Sequence, residues 1–228
     1  MKIATWNVER LKHQKSLARI TAACERVRAD ILVLTETDSR IRPDYRYCFS
    51  TPTPPDIGLP GYEEPLHYRP TEHRVSLFTN YKCIRQHPTF DRHTALCVEL
   101  ETEMGALLVY GTILGVLGNR HPTFQTDLSQ QAADLRRLNG VLCICGDLNC
   151  SFADPYYYTS AGRDALRQTF AENRIRLLTE NVPCCIDHIA VSEGFVSGCK
   201  TAVEEWNQDK RLSDHKGIAV ELGSEGTP

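Results

Sequence analysis

Residues that could hold a metal ion and a phosphate group stand at the ends of apolar runs along this chain. They are Asn7, Glu36, Asp147 with Asn149, Asp187 with His188, and Asp214 with His215. Polar side chains at strand ends can converge on one edge of a sheet, whereas the same residues scattered through loops need not. The spacing therefore predicts a compact acidic site built from distant parts of the chain.

Four carboxylates, two amides and one or two imidazoles favour a particular class of metal. Hard oxygen donors of this kind suit Mg²⁺ or Mn²⁺, which also keep water and substrate phosphate as ligands. Zinc prefers Cys and His, so it fits this set poorly. Each residue alone is equally consistent with a turn former or a cap. The joint occurrence of five such groups favours the metal site.

The elements that must position these residues follow from periodicity and turn signals. Helices are predicted at residues 14–28, 126–138 and 162–173. Strands are predicted at 3–8, 30–35, 75–79, 95–101, 106–112, 141–146, 175–179, 186–191, 200–204 and 217–222. Residues 40–70 form a proline-rich excursion with little periodicity. This order predicts a layered α/β domain with two packed sheets over residues 1–222 and a flexible tail over 223–228.

Composition limits the function classes. The chain has 228 residues, a net charge of −3 and 41% hydrophobic residues, which excludes a disordered or fibrous protein. Bulk attraction cannot hold nucleic acid at this charge, so a phosphate-bearing partner needs a local basic patch or bound metal. The ten cysteines include no CxxC pair, and no signal peptide, membrane anchor or apolar span is apparent. We expect a soluble, reduced, cytoplasmic protein.

The ordered motifs resemble those of the endonuclease/exonuclease/phosphatase superfamily. The matching segments are Thr-Trp-Asn7, Leu-Thr-Glu36, Gly-Asp-Leu-Asn149, Ile-Asp-His188 and Ser-Asp-His215. That superfamily includes deoxyribonuclease I, exonuclease III-type repair nucleases, sphingomyelinases and inositol phosphatases. The resemblance implies a deoxyribonuclease I-like four-layer α/β sandwich, with two packed mixed β-sheets flanked by helices and the site at one edge.

The resemblance also implies roles for individual residues. Glu36 becomes the principal Mg²⁺ ligand, with Asn7 and Asp214 nearby in the metal shell. Asp147 orients or deprotonates the attacking water, and Asn149 holds a phosphoryl oxygen. His215 contacts the scissile phosphate while Asp187 sets its tautomer. His188, which follows Asp187 and points to the opposite face of the strand, is expected to be structural.

Three features outside these motifs leave alternatives open. Many members carry a His or Tyr where this chain has Ile113, so either Tyr110 is repurposed as a substrate contact or that contact is missing. Arg74 could contact phosphate, although a solvated loop is the more common role for such a residue. The segment Tyr156–Tyr158 could stack bases, but packing of a loop onto the sandwich is favoured.

The expected function is a Mg²⁺- or Mn²⁺-dependent phosphodiester hydrolase, most specifically a nuclease acting on DNA or RNA. The alternatives are a phosphomonoesterase, or a phosphodiesterase of lipids or small molecules, on the same core. A non-catalytic binding protein ranks lowest, because decay of the site removes clustered carboxylates first and all four are present. The expected partner is a phosphate-ester substrate, with nucleic acid favoured.

Overall fold

The computed structural model describes residues 1–58 and 63–224 of the chain. Four helices are present in these residues: α1 (Leu17–Arg26), α2 (Thr123–Arg137), α3 (Ser160–Glu172) and the short α4 (Glu193–Val196). The first six strands are β1 (Lys2–Asn7), β2 (Ile31–Asp38), β3 (Tyr47–Ser50), β4 (Glu72–Thr79), β5 (Lys82–His87) and β6 (Ala95–Thr102). The other six are β7 (Gly105–Ile113), β8 (Leu142–Asp147), β9 (Ile175–Leu177), β10 (Asp187–Ser192), β11 (Cys199–Asn207) and β12 (Gly217–Ser224).

The described strands form two six-stranded mixed sheets. The first has the order β11-β12-β1-β2-β4-β3, and the second has the order β5-β6-β7-β8-β10-β9. Strands β1 and β2 are parallel, as are β7 and β8, whereas the remaining pairs are antiparallel. The parallel pairs lie at the centres of the two sheets. Parallel strands are normally buried on both faces, so we expect each sheet to be covered on both sides there.

Apolar side chains on alternating strand positions divide the core into layers. Ile3, Val33 and Val109 belong to the cluster between the two sheets. Leu32 and Leu34 face the other way and pack with helix α1, which buries Ile20 and Cys24. Helices α2 and α3 cover the outer face of the second sheet through a third cluster. The result is a helix–sheet–sheet–helix sandwich, which confirms the predicted fold class.

Most predicted elements are present with shifted bounds, and a few were missed. Strand β3 lies inside the proline-rich excursion, where its short exposed edge leaves little alternation to detect. Strand β5 has a mostly exposed pattern and was missed for the same reason. Strand β12 extends to Ser224, so the predicted tail starts too early. The remaining tail, 225–228, and residues 59–62 of the excursion lie outside the described residues.

The helices and the cysteines bear on where the protein could reside. Among the helices described, none has the length and apolarity that a membrane crossing needs. All ten cysteines carry free thiols, and six of them are buried. Burial raises the pKa of such thiols, for example that of Cys143 to about 12, so they behave as small apolar core residues.

Candidate active site

The ends of five strands meet at one edge of the sandwich, and each brings a polar side chain there. Because β1 and β2 are parallel neighbours, Asn7 at the end of β1 and Glu36 in β2 reach the same edge. In the other sheet β8 ends at Asp147, which pairs with Asp187 at the start of antiparallel β10. Strand β12 is antiparallel to β1, so the loop before it delivers His215 to this edge.

Asp187 and His215 form a short ion pair in the centre of this edge. The distance from His215 Nδ1 to Asp187 Oδ2 is 2.6 Å, and Asp187 is buried. Burial alone lowers the pKa of His215, but the charge of Asp187, its hydrogen bond and the charges of Asp147 and Asp214 raise it to about 10. The imidazole is therefore cationic at neutral pH, with its Nε2 side turned away from Asp187.

Asp147 is a buried carboxyl whose pKa lies far above its usual range. Desolvation raises the pKa of Asp147 to about 7, and the charge of Asp187 adds to this effect. Two donors hold the group in place: Asn7 Nδ2 lies 3.0 Å from Oδ2, and the backbone N–H of Asn149 lies 2.8 Å from Oδ1. A carboxyl that changes its charge near neutral pH suits proton abstraction.

Asn149 sits in a strained backbone conformation that the neighbouring loop supports. Its φ is +48°, in the left-handed region. Its side-chain Nδ2 donates to the carbonyl of Leu114 at 2.9 Å, and its own carbonyl accepts from Asn119 Nδ2 at 2.8 Å. Asn119 is buried, and within the described chain its Oδ1 finds no donor. Sequence reasoning missed Asn119, which stands in a Gly-Asn-Arg turn with no motif to mark it.

A second acidic group lies on the first sheet, around Glu36. Burial raises the pKa of Glu36, and the charges of Asp214 and Glu9 add to this, while His215 and Arg10 oppose it. No side chain or backbone group in residues 1–58 and 63–224 donates a hydrogen bond to the Glu36 carboxylate. Its φ of +45° breaks the ladder between β2 and β4, which skips this residue.

Glu9 is a site residue that the sequence reasoning missed. Its backbone N–H donates to Asn7 Oδ1 at 2.9 Å, and its Oε2 accepts from the backbone N–H of Asp214 at 3.0 Å. Glu9, Arg10 and Leu11 all have positive φ values near +50°, which turns the chain sharply after β1. The only sequence signal for Glu9 is its position two residues after Asn7. That position brings Glu9 to the site only because of this turn.

The donor set around Glu36 fits a hard divalent cation. The charges of Glu9 and Asp214 act on Glu36, but Asp214 is exposed and Glu9 is ion-paired with Lys12. Glu36 itself has no hydrogen-bonded donor in the described residues to offset its charge. Such a group is destabilising unless a cation neutralises it. Oxygen donors of this type are those that Mg²⁺ and Mn²⁺ accept.

A tighter cluster lies beside this group but suits a metal less well. Oxygen or nitrogen atoms of Asp147, Asp187 and His215 lie within 4.8 Å of one another. His215 already donates to Asp187 and is cationic, so its imidazole lacks the free lone pair that a metal ligand needs. The predicted metal residues Asn7, Glu36 and Asp214 do not belong to this cluster. The metal-ligand roles of Asn7, Glu36 and Asp214 therefore stay a prediction.

The prediction that Tyr110 contacts substrate is wrong. Its side chain is buried under α2, and its hydroxyl donates to Asp134 Oδ2 at 2.9 Å. Alternation along β7 turns Tyr110 to the outer face and Ile113 to the face between the sheets. Ile113 pairs with Asp147 in the β7–β8 ladder but offers only an apolar side chain.

Arg74 is neither solvated nor in a loop. It lies in β4, is buried, and stacks on the ring of Tyr68 with its guanidinium carbon 5.3 Å from the ring centroid. Its Nη2 donates to the Tyr68 hydroxyl at 3.3 Å, while Nε has no acceptor among the described residues. A phosphate contact by Arg74 stays a prediction.

His188 takes the structural role that was expected. Its ring is buried on the other face of β10, where Nδ1 lies 2.8 Å from Thr179 Oγ1 and Nε2 lies 2.9 Å from the Cys150 carbonyl. The ring of Phe152 packs edge-on against it at 5.0 Å. Burial lowers the pKa of His188 to about 4, so the ring is neutral at pH 7.

A cleft of about 580 Å³ opens at this edge of the sandwich. Asn149, Asp187, Asp214 and His215 line it. The rest of its lining comes from the loop after β8, the loop before β10, and residues 205–216. The site is therefore continuous with a concave surface large enough for part of a substrate.

Comparison with known proteins places this geometry among related folds. A structure described as an endonuclease/exonuclease/phosphatase from Beutenbergia cavernae DSM 12333 aligns with a TM-score of 0.70 and 16% identity, covering 100% of this chain and 72% of that one. The endonuclease domain of TRAS1, a telomere-specific non-LTR retrotransposon, aligns at 0.69 and 16% over 99% of each chain. An AP endonuclease from Archaeoglobus fulgidus aligns at 0.69 and 12% over 97% of this chain and 99% of that one.

These identities are too low to transfer more than the fold. No curated protein sequence matches the chain. The model of the Endonuclease/Exonuclease/phosphatase family matches residues 4–215, a segment that runs from β1 to His215 and contains every element of the site described above. The chain belongs to the Endonuclease/Exonuclease/phosphatase family.

Proposed function

We propose that this protein is a divalent-metal-dependent phosphodiester hydrolase, and most specifically a nuclease. Members of its family are hydrolases that act on phosphoester bonds. The observation that carries the proposal is the pairing of Asp147, a carboxyl with a pKa of about 7, with the cationic His215 at the same sheet edge. One group can accept a proton while the other holds a negative phosphate.

Asp147 is the proposed base for the attacking water. Asn7 and the backbone N–H of Asn149 occupy one side of each carboxylate oxygen, which sets the plane of the carboxylate. Each oxygen keeps a further lone pair that can accept a water proton. A base with a pKa near the working pH combines the ionised form with enough basicity to assist attack.

His215 and Asn149 are the proposed phosphate contacts. His215 uses Nδ1–H on Asp187, so its Nε2–H is the donor available to a phosphoryl oxygen. Asn149 Nδ2 donates to the Leu114 carbonyl at 2.9 Å and to the Gly115 carbonyl at 3.4 Å, and the longer of these hydrogen bonds can be exchanged for one to a second phosphoryl oxygen. Because both donors are held before substrate arrives, they stabilise the charge that builds up during attack.

Glu36 is the proposed principal ligand of the cation, with Glu9, Asp214 and Asn7 as neighbours in its shell. Mg²⁺ or Mn²⁺ is the expected ion because the donors are oxygens. When bound, the cation supplies Lewis acidity and neutralises charge on the phosphate. Asn7 connects the proposed base to the carboxylates around Glu36. Its Nδ2 donates a hydrogen bond to Asp147, and its Oδ1 accepts one from the backbone N–H of Glu9.

Cleavage assays on labelled single- and double-stranded DNA and RNA test the proposal. We expect cleavage with Mg²⁺ or Mn²⁺, none with EDTA, and a loss of about 10³-fold or more for Asp147→Asn, in line with the removal of a base from a concerted site. Asp164→Asn is the matched control, because Asp164 is exposed on α3 away from the site.

The substrate panel separates the nuclease from its alternatives. Cleavage of bis(p-nitrophenyl) phosphate or sphingomyelin without cleavage of any polymer would overturn the nuclease and leave a phosphodiesterase of small molecules or lipids. Release of phosphate from monoesters alone would identify a phosphomonoesterase. A folded protein that cleaves none of these substrates with either metal would overturn the hydrolase and leave a binding protein.

A further inference from the structure

Two of the three consecutive tyrosines after β8 face the cleft beside the site. Tyr156 is 59% exposed and Tyr157 is 37% exposed, and both line the cleft together with Asn149, Asp187 and His215. Tyr158 differs, since it packs against the core under α3 with the Arg163 guanidinium 3.6 Å from its ring centroid. Packing thus explains Tyr158, whereas the Tyr157 hydroxyl lies close to Gly118 and the first two rings stay exposed at the cleft.

The loop that carries these rings is held in place on both sides. Asp154 Oδ1 accepts from the backbone N–H of Tyr156 at 3.0 Å, and Asp154 Oδ2 accepts from that of Cys184 at 2.6 Å. The Tyr157 carbonyl accepts from the backbone N–H of Ser151 at 2.6 Å. The hydrogen bonds from Cys184 and Tyr156 lower the pKa of the Asp154 carboxyl, so this group stays ionised. Two walls of the cleft are therefore connected before any ligand binds.

Two lysines, Lys210 and Lys216, also line the cleft, together with the acidic Glu205, Asp187 and Asp214. Lys216 Nζ donates to the Pro183 carbonyl at 2.9 Å and to Glu205 at 3.0 Å, which fixes it across the mouth. Lys210 also lines the cleft, is exposed, and has no ion-pair partner in the part of the chain described. Aromatic rings and amines in one cleft are the features that bind bases and phosphates of single strands.

We propose that Tyr156 and Tyr157 bind an unstacked nucleobase of a single-stranded nucleic acid, next to the phosphate held at His215. The inference rests on the proposed function and names its substrate class. A cleft of about 580 Å³ falls within the roughly 300–1,000 Å³ of sites for small ligands, so it has room for one nucleotide. A base inside a duplex would first have to leave its stack, which a single strand avoids.

The surface around the cleft argues against a lipid. Within residues 1–58 and 63–224, the other exposed large apolar residues are Ile84, Phe90 and Val203. They lie on β5, on the loop before β6 and on β11, and none of them lines the cleft. Binding at a membrane surface needs a contiguous apolar patch with basic residues at its border. Two tyrosines in a cleft that also holds lysines fit a base and a phosphate better.

Binding can be measured without turnover in the Asp147→Asn background with Mg²⁺ present. Two labelled single strands are compared by fluorescence anisotropy: an ordinary oligonucleotide, and the same sugar–phosphate chain with tetrahydrofuran units in place of every base. We expect the strand with bases to bind about tenfold more tightly or better, from base–aromatic stacking. Tyr156→Ala with Tyr157→Ala should remove this preference, and the corresponding Phe variants should keep it.

Phe90→Ala is the matched control, because it removes an equally exposed ring outside the cleft. Equal affinity for the two strands, or a preference that survives both alanine substitutions, would overturn the inference. Loss of binding to sphingomyelin vesicles in the alanine variants, without any preference for bases, would assign the rings to lipid instead. If the wild-type protein cleaves its substrate but binds the two strands equally, only the inference about the tyrosines is overturned. If binding depends on the bases but the wild-type protein cleaves nothing, only the proposed hydrolase activity is overturned.

Discussion

At the scale of single residues, the site depends on two neighbouring groups that hold opposite charges near pH 7. Asp147 has a pKa of about 7 because it is buried beside Asp187, and His215 has a pKa of about 10 because it pairs with Asp187. The Asp187 carboxylate therefore makes Asp147 a better base and keeps His215 cationic. This arrangement uses a coupled triad rather than three independent side chains.

The pH dependence of kcat/KM should report both groups. The base must be ionised, so the rate rises with pH and reaches its plateau at or below about pH 7, since a cation at Glu36 favours the ionised form of Asp147. The rate should fall again near pH 10 as His215 loses its proton. Asp187→Asn should move the alkaline limb to lower pH, because it removes the charge that holds this proton. An unchanged alkaline limb in that variant would contradict the assignment.

His188 should make the fold sensitive to acid. Its pKa is about 4 in the folded protein and about 6.5 when unfolded, so between these values the unfolded chain binds the extra proton. Stability should therefore fall as the pH drops from about 6.5 to 4, by at most about 3 kcal/mol from this group. Urea unfolding of wild-type protein and His188→Gln at pH 7 and pH 4.5 measures the difference. An equal acid loss in both proteins would rule out His188 as its source.

At the scale of elements, backbone geometry at the strand ends sets the positions of the functional groups. Gly146 precedes Asp147 with a φ of +144°, and a Cβ there would lie 2.0 Å from the Thr112 carbonyl oxygen on β7. Only glycine lets β8 approach β7 so closely at this point. Glu9, Glu36 and Asn149 also have positive φ values, so strained backbone accompanies three residues of the site.

Gly146→Ala should therefore destabilise the protein severely. A backbone atom cannot move aside as a flexible side chain can, so we expect a loss of more than about 3 kcal/mol or a failure to fold. Gly223→Ala is the matched control, because no atom lies within 4 Å of the Cβ position and its φ is ordinary. The free energy of unfolding in urea provides the measurement. A loss below about 1 kcal/mol for Gly146→Ala would show that the close approach is not maintained.

The strand-end part of the site was predictable from sequence, and the turn-dependent part was not. Asp147 and Asp187 follow or begin apolar runs, and such runs locate strands with little help from tertiary structure. Glu9 reaches the site only because three consecutive residues turn with positive φ, which no residue type there signals. Tyr110 was misassigned because one position along β7 decides between the outer face and the inner face.

At the scale of the whole molecule, the sandwich places an acidic group where the folded chain alone does not neutralise it. Burial and the charges of Glu9 and Asp214 raise the pKa of Glu36, so its ionised form opposes folding at neutral pH. A cation bound beside Glu36 would offset this cost, since ligands that bind only the folded state stabilise it. Under the proposed function, stability and activity are thus linked through one position.

Thermal unfolding should show this linkage. Mg²⁺ or Mn²⁺ should raise the midpoint of the wild-type protein, with about 2.7 kcal/mol expected when the free ion is at 100 times its dissociation constant. Glu36→Gln should raise the midpoint of the metal-free protein and remove most of the metal-dependent increase, because the unfavourable charge and the principal ligand are lost together. A metal-dependent increase of full size in Glu36→Gln would place the cation elsewhere.

The proposed roles of Glu36 as cation ligand and of Asp147 as base can be tested together by the single-turnover rate of phosphodiester cleavage as a function of Mg²⁺ concentration. It compares the wild-type protein with Glu36→Gln and Asp147→Asn on the substrate that the wild type cleaves best. The account predicts that Glu36→Gln shifts the Mg²⁺ midpoint to higher concentration, whereas Asp147→Asn keeps the midpoint near that of the wild type and lowers the saturating rate about 10³-fold or more. Cleavage that persists in EDTA, or wild-type rates in both variants at saturating Mg²⁺, would contradict it.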